Sequence, residues 1–418
     1  MKRRIDIADL ELGMFVAELD RPWLESPFLF QGFLLDSEDD LATLRSLCSF
    51  VIVDAEQSTY IPRSFHAAPA AEVDDTEHDS QGPAAIRDVD ANDPRRFARS
   101  FREVIGVHRR AQLRLIELID RRRLGKRVDC AAVRDVVEDL DRIIREHPNA
   151  AMWLTKMREQ DELTASHCIN VAILSMTFAR YRRLPENMIR SIGLGAMLHD
   201  IGLTGPANDI ISSRARLGEA EFKVVRRHPV DGLFSLRNLD ELDKVAREII
   251  RSHHERLDGS GYPDGLRGDE IPEHVRIVGI ADAYDAMASD RSYRAAMQPT
   301  AAMSELRKDA ADSFGESLVQ EFIRCIGIYP VGSVVKLNTG AIGMVASTLP
   351  SSRLTPLVLI LKDSNGRNLA PRQLVNLAAV NRMREKREDK WAIVDTVNPL
   401  DYRINIAAIA IDEMRAFR

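Results

Sequence analysis

The pattern of apolar and polar positions changes character along this chain. Residues 1–62 hold short apolar runs, Phe28-Leu29-Phe30 and Phe50-Val51-Ile52-Val53, around a helix-like stretch near Asp40–Cys48. Runs of that length predict strands, so this part reads as a small α/β module. The stretch 63–93 has no period and is rich in Ala, Pro, Asp and Glu, which predicts a flexible acidic linker. From Pro94 the apolar residues recur at three-to-four spacing, in RRFARSFREVIGVHRRAQLRLIELIDRRR and then in DCAAVRDVVEDLDRIIREH. This predicts two long helices over 94–150, a helical lead-in to the next domain. Helical spacing continues over 151–330, broken by the Gly- and Pro-rich loop LDGSGYPDGLRGDEIPEH at 257–274. After Pro330, strand signals return in VGSVVKL, GAIGMVAS and PLVLILK, with turns at Asn338-Thr339-Gly340 and Asp363-Ser364-Asn365-Gly366. Residues 331–418 therefore read as a β-rich appendage. The expected fold class is mainly α, an all-helical bundle flanked by a small α/β module and a small β-rich one.

Composition narrows the function. With 45% hydrophobic and 29% charged residues the chain can bury sizeable cores. A net charge of -6 gives no general attraction to polyanions, so broad nucleic-acid binding is disfavoured and any nucleotide needs a local cationic site. Cys48, Cys130, Cys168 and Cys325 show no CxxC spacing, which fits reduced thiols and a cytoplasmic setting. No apolar run reaches the ~18 residues of a membrane span, and the N-terminus lacks a signal-peptide pattern, so no membrane insertion is expected.

The helical region concentrates unusual chemistry. His167, His199, His228, His253, His254 and His274 all fall within it. Asp200 follows His199 at the end of the apolar GLGAMLHDIG, and Asp282 sits inside the apolar RIVGIADAYDAM. Carboxylates buried in such helices need partners. Imidazole with carboxylate and no thiolate suits a catalytic Zn, Fe, Mn or Co centre better than a structural zinc. Even five of these imidazoles with the two carboxylates are too many for one ion that also keeps an open position, so two ions are the simplest count. Two divalent ions outweigh the charge of Asp200, Asp282 and a bridging hydroxide. The positive hole that remains suits attack on a phosphodiester.

These residues carry a resemblance. HHERLDGSGYPDGLRGDEIPEHVRIVGIADAYDAMASDRSYR at 253–294, with HCIN at 167–170, HDIG at 199–202 and RHP at 227–229, resembles the signature of the HD-GYP family, a branch of the HD phosphohydrolases. Residues 1–62 resemble a small domain of unknown role often found ahead of HD-GYP domains. The resemblance implies an all-α bundle with two or three metal ions, iron first and manganese second. It implies hydrolysis of cyclic di-GMP, a bacterial second messenger, to pGpG and on to GMP in some members. It implies metal ligands at His167, His199, Asp200, His228, His253, His254 and Asp282. Asp200 would bridge, with His167, His199 and Asp282 on one ion and His228, His253 and His254 on the other. Asp285 would handle protons or support the ligands, and Arg291 and Arg294 would clamp phosphate. In the Gly261-Tyr262 segment of the 257–274 loop, Tyr262 could contact guanine or simply anchor the loop, and in the family this loop is also proposed to contact GGDEF-type cyclases.

Two positions depart from the family pattern. Leu203 stands where HDIGK members carry lysine, which removes a cation near the scissile phosphate. Leu163 stands where three-metal members carry glutamate, which favours two ions, with a third kept open by neighbouring Glu162. The competing readings are an HD phosphohydrolase acting on another nucleotide and a non-catalytic cyclic di-GMP receptor.

Overall fold

The computed structural model describes residues 2–20, 33–35, 37–54, 58, 60, 94–124, 126, 131–156, 163–204, 210, 218–237, 242–289, 296–348, 354–384, 386, 389–406, 408 and 409. The chain divides into two compact units, Met1–Gly82 and Pro83–Arg418.

The first unit is an antiparallel sheet of β1 (Lys2–Asp6), β2 (Phe15–Leu19), β3 (Phe33–Leu34) and β4 (Phe50–Asp54), in the order β1-β4-β2-β3. Helix α1 (Glu38–Leu47) covers it, with Leu41 and Leu44 sharing a core with Leu10, Met14, Val16, Val51 and Val53. In β4, Val51 and Val53 point into that core while Ile52 between them is half-buried, the period of two that marks a strand. The α/β module expected here is present. The run Phe28-Leu29-Phe30 and the expected linker at 63–93 lie outside the described residues.

The second unit opens with the two expected helices, α2 (Pro94–Arg123) and α3 (Ala131–Glu146). Helix α3 buries Val133, Val136, Val137, Leu140, Ile143 and Ile144, one stripe at three-to-four spacing. Short α4 (Pro148–Leu154) leads to α5 (Leu163–Tyr181), whose described side chains are almost all buried. A helix apolar all round sits at the centre of a bundle. Around α5 pack α6 (Glu186–Leu198) and, later in the chain, a helix at Glu273–Met287. Between them come α7 (Glu219–Val225), α8 (His228–Ser235) and α9 (Lys244–Ser252), which makes Glu273–Met287 α10.

Three further helices, Pro299–Lys308, Ala310–Ser313 and Glu316–Ile326, complete the bundle. A five-stranded antiparallel sheet comes next, with β5 (Val334–Leu337), β6 (Ile342–Ser347), β7 (Leu357–Lys362), β8 (Asn368–Asn376) and β9 (Ile393–Thr396) in the order β8-β7-β6-β5-β9. The three strands expected from apolar runs are the inner ones. Strands β8 and β9 form the edges and are largely solvent-facing, so their sequences lack an apolar run. Pro371 in β8 fits an edge, where a missing N–H costs no ladder bond. The sheet is tied to α4, as Trp153 Nε1 donates to Ala346 O at 3.0 Å and Asn149 Nδ2 donates to Ser347 Oγ at 2.9 Å.

Candidate metal centre

Each candidate ligand sits at a helix end or on an inward face. His167 lies on central α5, His199 caps α6 and Asp200 follows it. His228 opens α8, His253 caps α9 with His254 next, and Asp282 faces inward from α10. The seven side chains come together in two groups whose ligand atoms lie within 4.8 Å of one another: His167, His199 and Asp282, and Asp200, His228, His253 and His254. Asp200 reaches both. Its Oδ1 lies 3.2 Å from His228 Nε2 and 4.0 Å from His253 Nε2, and its Oδ2 lies 3.3 Å from His199 Nε2 and 3.8 Å from His167 Nε2.

The backbone sets the tautomers. His199 Nδ1 faces Ala196 O at 2.7 Å, His228 Nδ1 faces Val225 O at 2.8 Å, and His253 Nδ1 faces Ile249 O at 3.1 Å. A carbonyl only accepts, so each Nδ1 must carry hydrogen and each neutral ring offers its Nε2 lone pair to the site. His228 Nε2 and His253 Nε2 then face each other at 3.2 Å, while His199 Nε2 is fully buried without a hydrogen-bond partner among the described residues. Lone pairs converging in a buried space with a carboxylate call for a cation. The donor set is mainly imidazole and carboxylate, with the Cys168 thiol grouped beside His199 and Asp200, and it fits divalent transition metals.

The electrostatics divide the same way. Burial opposes charge on His167, but Asp282 and Asp285 outweigh it and push the ring up to about 9. His199 is also raised well above the usual range, burial being overcome chiefly by Asp200. Asp200 and Asp282 are held well below the usual carboxylate range, because the imidazoles overcome burial. His253 and His254 move the other way, pushed down by burial, His254 to about 3.

Support comes from residues behind the ligands. Asp285 Oδ2 accepts from His167 Nδ1 at 2.7 Å, and its Oδ1 accepts from buried Asn170 Nδ2 at 3.1 Å. Tyr262 stacks on His254, with ring centres 4.6 Å apart. Gly261 lies so close to the chain of the ligand segment that a Cβ there would stand 2.4 Å from Arg256 N and 2.6 Å from His254 O. His274, counted with the other histidines in the sequence, is outside the cluster and pairs with Glu248 at 2.7 Å. Leu203 lies in the turn Ile201–Thr204, and Leu163 is the first residue of α5. Arg291, Arg294, Glu162 and Cys130 lie outside the described residues.

Comparison with known proteins agrees with this architecture. An HD domain profile matches residues 140–318, a domain of unknown function (DUF3391) matches 2–133, and a KOW domain associated with HD domain matches 334–383. A cyclic di-GMP phosphodiesterase of Pseudomonas aeruginosa is 32% identical over 379 residues, 90% of this chain and 89% of that one. The chain belongs to the HD-GYP family. A 3'3'-cGAMP-specific phosphodiesterase of Vibrio cholerae is 39% identical over 134 residues, 32% of this chain and 29% of its own. An HD-GYP protein of Bdellovibrio bacteriovorus aligns in structure over 77% of this chain and 98% of its own, at 15% identity and a TM-score of 0.45. As an HD-GYP protein the chain is a metal-dependent phosphodiesterase. No helix among the described residues is long and apolar enough to cross a membrane.

Three features of this HD-GYP site escaped the sequence reading. Glu255 is buried, and its carboxylate accepts from the backbone N–H groups of Asp264, Gly265 and Leu266 at 2.7, 3.2 and 3.0 Å, which ties the 257–274 loop to the residue after the histidine pair. An acid directly after two histidines was the available signal. Asn170 supports Asp285, and its place one turn after His167 was legible only as part of HCIN. Gly202 lets the turn after Asp200 touch α8, since a Cβ there would stand 2.0 Å from His228 O. Nothing local in the sequence marks that contact.

Proposed function

We propose that this chain hydrolyses cyclic di-GMP to pGpG, with two divalent transition-metal ions held on either side of Asp200. The observation that carries the reading is the carboxylate of Asp200, whose two oxygens face different histidine pairs. Its sequence relationship to the Pseudomonas aeruginosa enzyme over nine-tenths of the chain supports the substrate. His167, His199 and Asp282 would hold one ion and His228, His253 and His254 the other, with Asp200 shared. Iron is the first choice of metal and manganese the second, and Leu163 argues for two ions rather than three. When bound, the ions supply a nucleophile from water at neutral pH and positive charge for the phosphoryl oxygens.

The chain's own residues prepare that site. Backbone carbonyls hold the Nδ1 hydrogens of three imidazoles, so their Nε2 atoms point inward before an ion arrives. Asp285 orients His167 and is placed to take a proton from it. Arg291 and Arg294 would clamp the phosphates, and the Gly261-Tyr262 segment would border the substrate and offer a surface to GGDEF-type cyclases. Buried Cys48 and Cys168 carry free thiols, in keeping with a reducing cytoplasm.

The test is incubation of purified protein with Mn²⁺ or Fe²⁺ and cyclic di-GMP, then chromatography of the nucleotides. Appearance of pGpG supports the proposal. Substrate bound but unchanged with every metal would replace it with the receptor reading. Arg291→Ala should keep its metals while catalytic efficiency falls ~10-fold or more, because a cation that touches only phosphate is not needed to assemble the cluster.

A further inference from the structure

Arg226, just after α7, has no part in the ligand set, yet it stands beside it. Its guanidinium carbon lies 5.0 Å from the centre of the Tyr262 ring and 4.7 Å from that of Phe222. Tyr262 in turn stacks on the candidate ligand His254 at 4.6 Å and 28°. These four side chains form a continuous series of contacts from the buried imidazoles out to solvent, where Phe222 is 44% exposed.

A guanidinium lying over aromatic rings is held flat by them and keeps its N–H edge free. That edge is a fork for paired acceptors, which a guanine presents as O6 and N7 and a phosphate presents as two oxygens. The scissile phosphate belongs with the ions, and among the described side chains Arg226 meets Tyr262, which stacks on the ligand His254. It is therefore one ring removed from the reacting phosphorus, where a base carried by the adjoining ribose would lie. Adenine shows an amino donor in place of O6, and a guanidinium N–H cannot pair with it.

We propose that Arg226, held on Tyr262 and Phe222, reads the O6/N7 edge of one guanine of the substrate. The inference rests on the proposed function for the place of the phosphate and adds the choice of base. Arg226 is exposed, so its replacement does not disturb a core.

The test is calorimetric binding of uncleavable phosphorothioate cyclic di-GMP and cyclic di-AMP to metal-loaded protein, unaltered and as Arg226→Ala and Arg226→Lys. Both variants should weaken the guanine ligand by roughly 10-fold and change the adenine ligand by less than about 3-fold, since lysine keeps the charge but loses the fork. Metal content should stay the same. Equal weakening of both ligands, no weakening of either, or loss of metal would overturn the assignment. If the binding ratio shifts as expected but the unaltered enzyme cuts no cyclic di-GMP, the proposed function falls and this assignment stands.

Discussion

The pocket around His167 and the pocket around His228 share Asp200 but hold protons in opposite ways. In the first, Asp282 and Asp285 crowd His167 and overcome burial, so the ring stays protonated up to about pH 9 when no ion is present. In the second, imidazoles outnumber carboxylates, and burial keeps His253 and His254 neutral. At neutral pH the imidazole-rich pocket therefore offers bare lone pairs, whereas the carboxylate-rich pocket must give up protons before it can take an ion. A site built from one kind of residue cluster thus contains two halves with different costs of loading.

The largest effect should come from removing what the halves share. Asp200→Asn keeps the shape but withdraws the charge that faces both histidine pairs. Metal content should fall in both pockets, and cleavage of cyclic di-GMP should disappear. Metal analysis and product chromatography check this together. Full activity in Asp200→Asn would end the two-metal account.

Next in size is a change that strikes one half only. Gly202→Ala would drive a methyl group to within 2.0 Å of His228 O, so α8 must retreat and take His228 with it. Rigid backbone cannot absorb this as a flexible side chain would, and overpacking of this kind costs about 1–3 kcal/mol. The variant should fold, retain metal near His167, lose it near His228, and approach one ion per chain. Retention of two ions would mean that the α8 contact does not position His228.

These two variants also mark what the sequence could and could not disclose. Asp200 and Asp282 inside apolar helices are legible because a polar group there must have a partner, and with the five histidines that the family resemblance singled out they stand together in the structure. The inner strands of the last sheet were legible from their apolar runs, and the edge strands were not, because solvent on their open side leaves no pattern. Gly202 and Glu255 act through backbone meeting backbone or carboxylate across the fold, and a linear pattern carries no trace of that. The resemblance to a family supplied the assignment of ligands to two ions, which spacing alone left open.

Proton release sharpens the comparison further. Calorimetric titration of chelator-treated protein with Mn²⁺ at pH 7, in buffers of different ionisation heat, should show one ion entering with little proton release and the other releasing one proton or more. The proton-linked step should strengthen as pH rises toward about 9, because His167 loses its proton over that range, whereas His254, already neutral above about pH 3, makes no such contribution. Asp285→Asn should reduce the release, since it removes a carboxylate that holds the His167 proton. Identical release for both ions would show that the two halves do not differ as their neighbours suggest.

The smallest expected effect uses a histidine that belongs to neither half. His108 on α2 is buried, its Nε2 lacks a hydrogen-bond partner among the described residues, and burial alone pushes it from 6.5 down to about 4. It stays neutral in the folded chain at a pH where the unfolded chain would protonate it. The unfolded state therefore binds more protons between those values, so the stabilising effect is complete above about pH 6.5 and is lost as pH falls toward 4. Between pH 7 and pH 5 this amounts to about 2 kcal/mol. His108→Leu fills similar space without a titrating group, so its urea midpoint should fall less than that of the unaltered protein over the same pH step. Measuring both proteins saturated with metal cancels the acid sensitivity of the ligand cluster. Equal losses would place a partner beside His108 that keeps it from titrating, and the contrast between histidines governed by carboxylates and a histidine governed by burial would then rest on the two pockets alone.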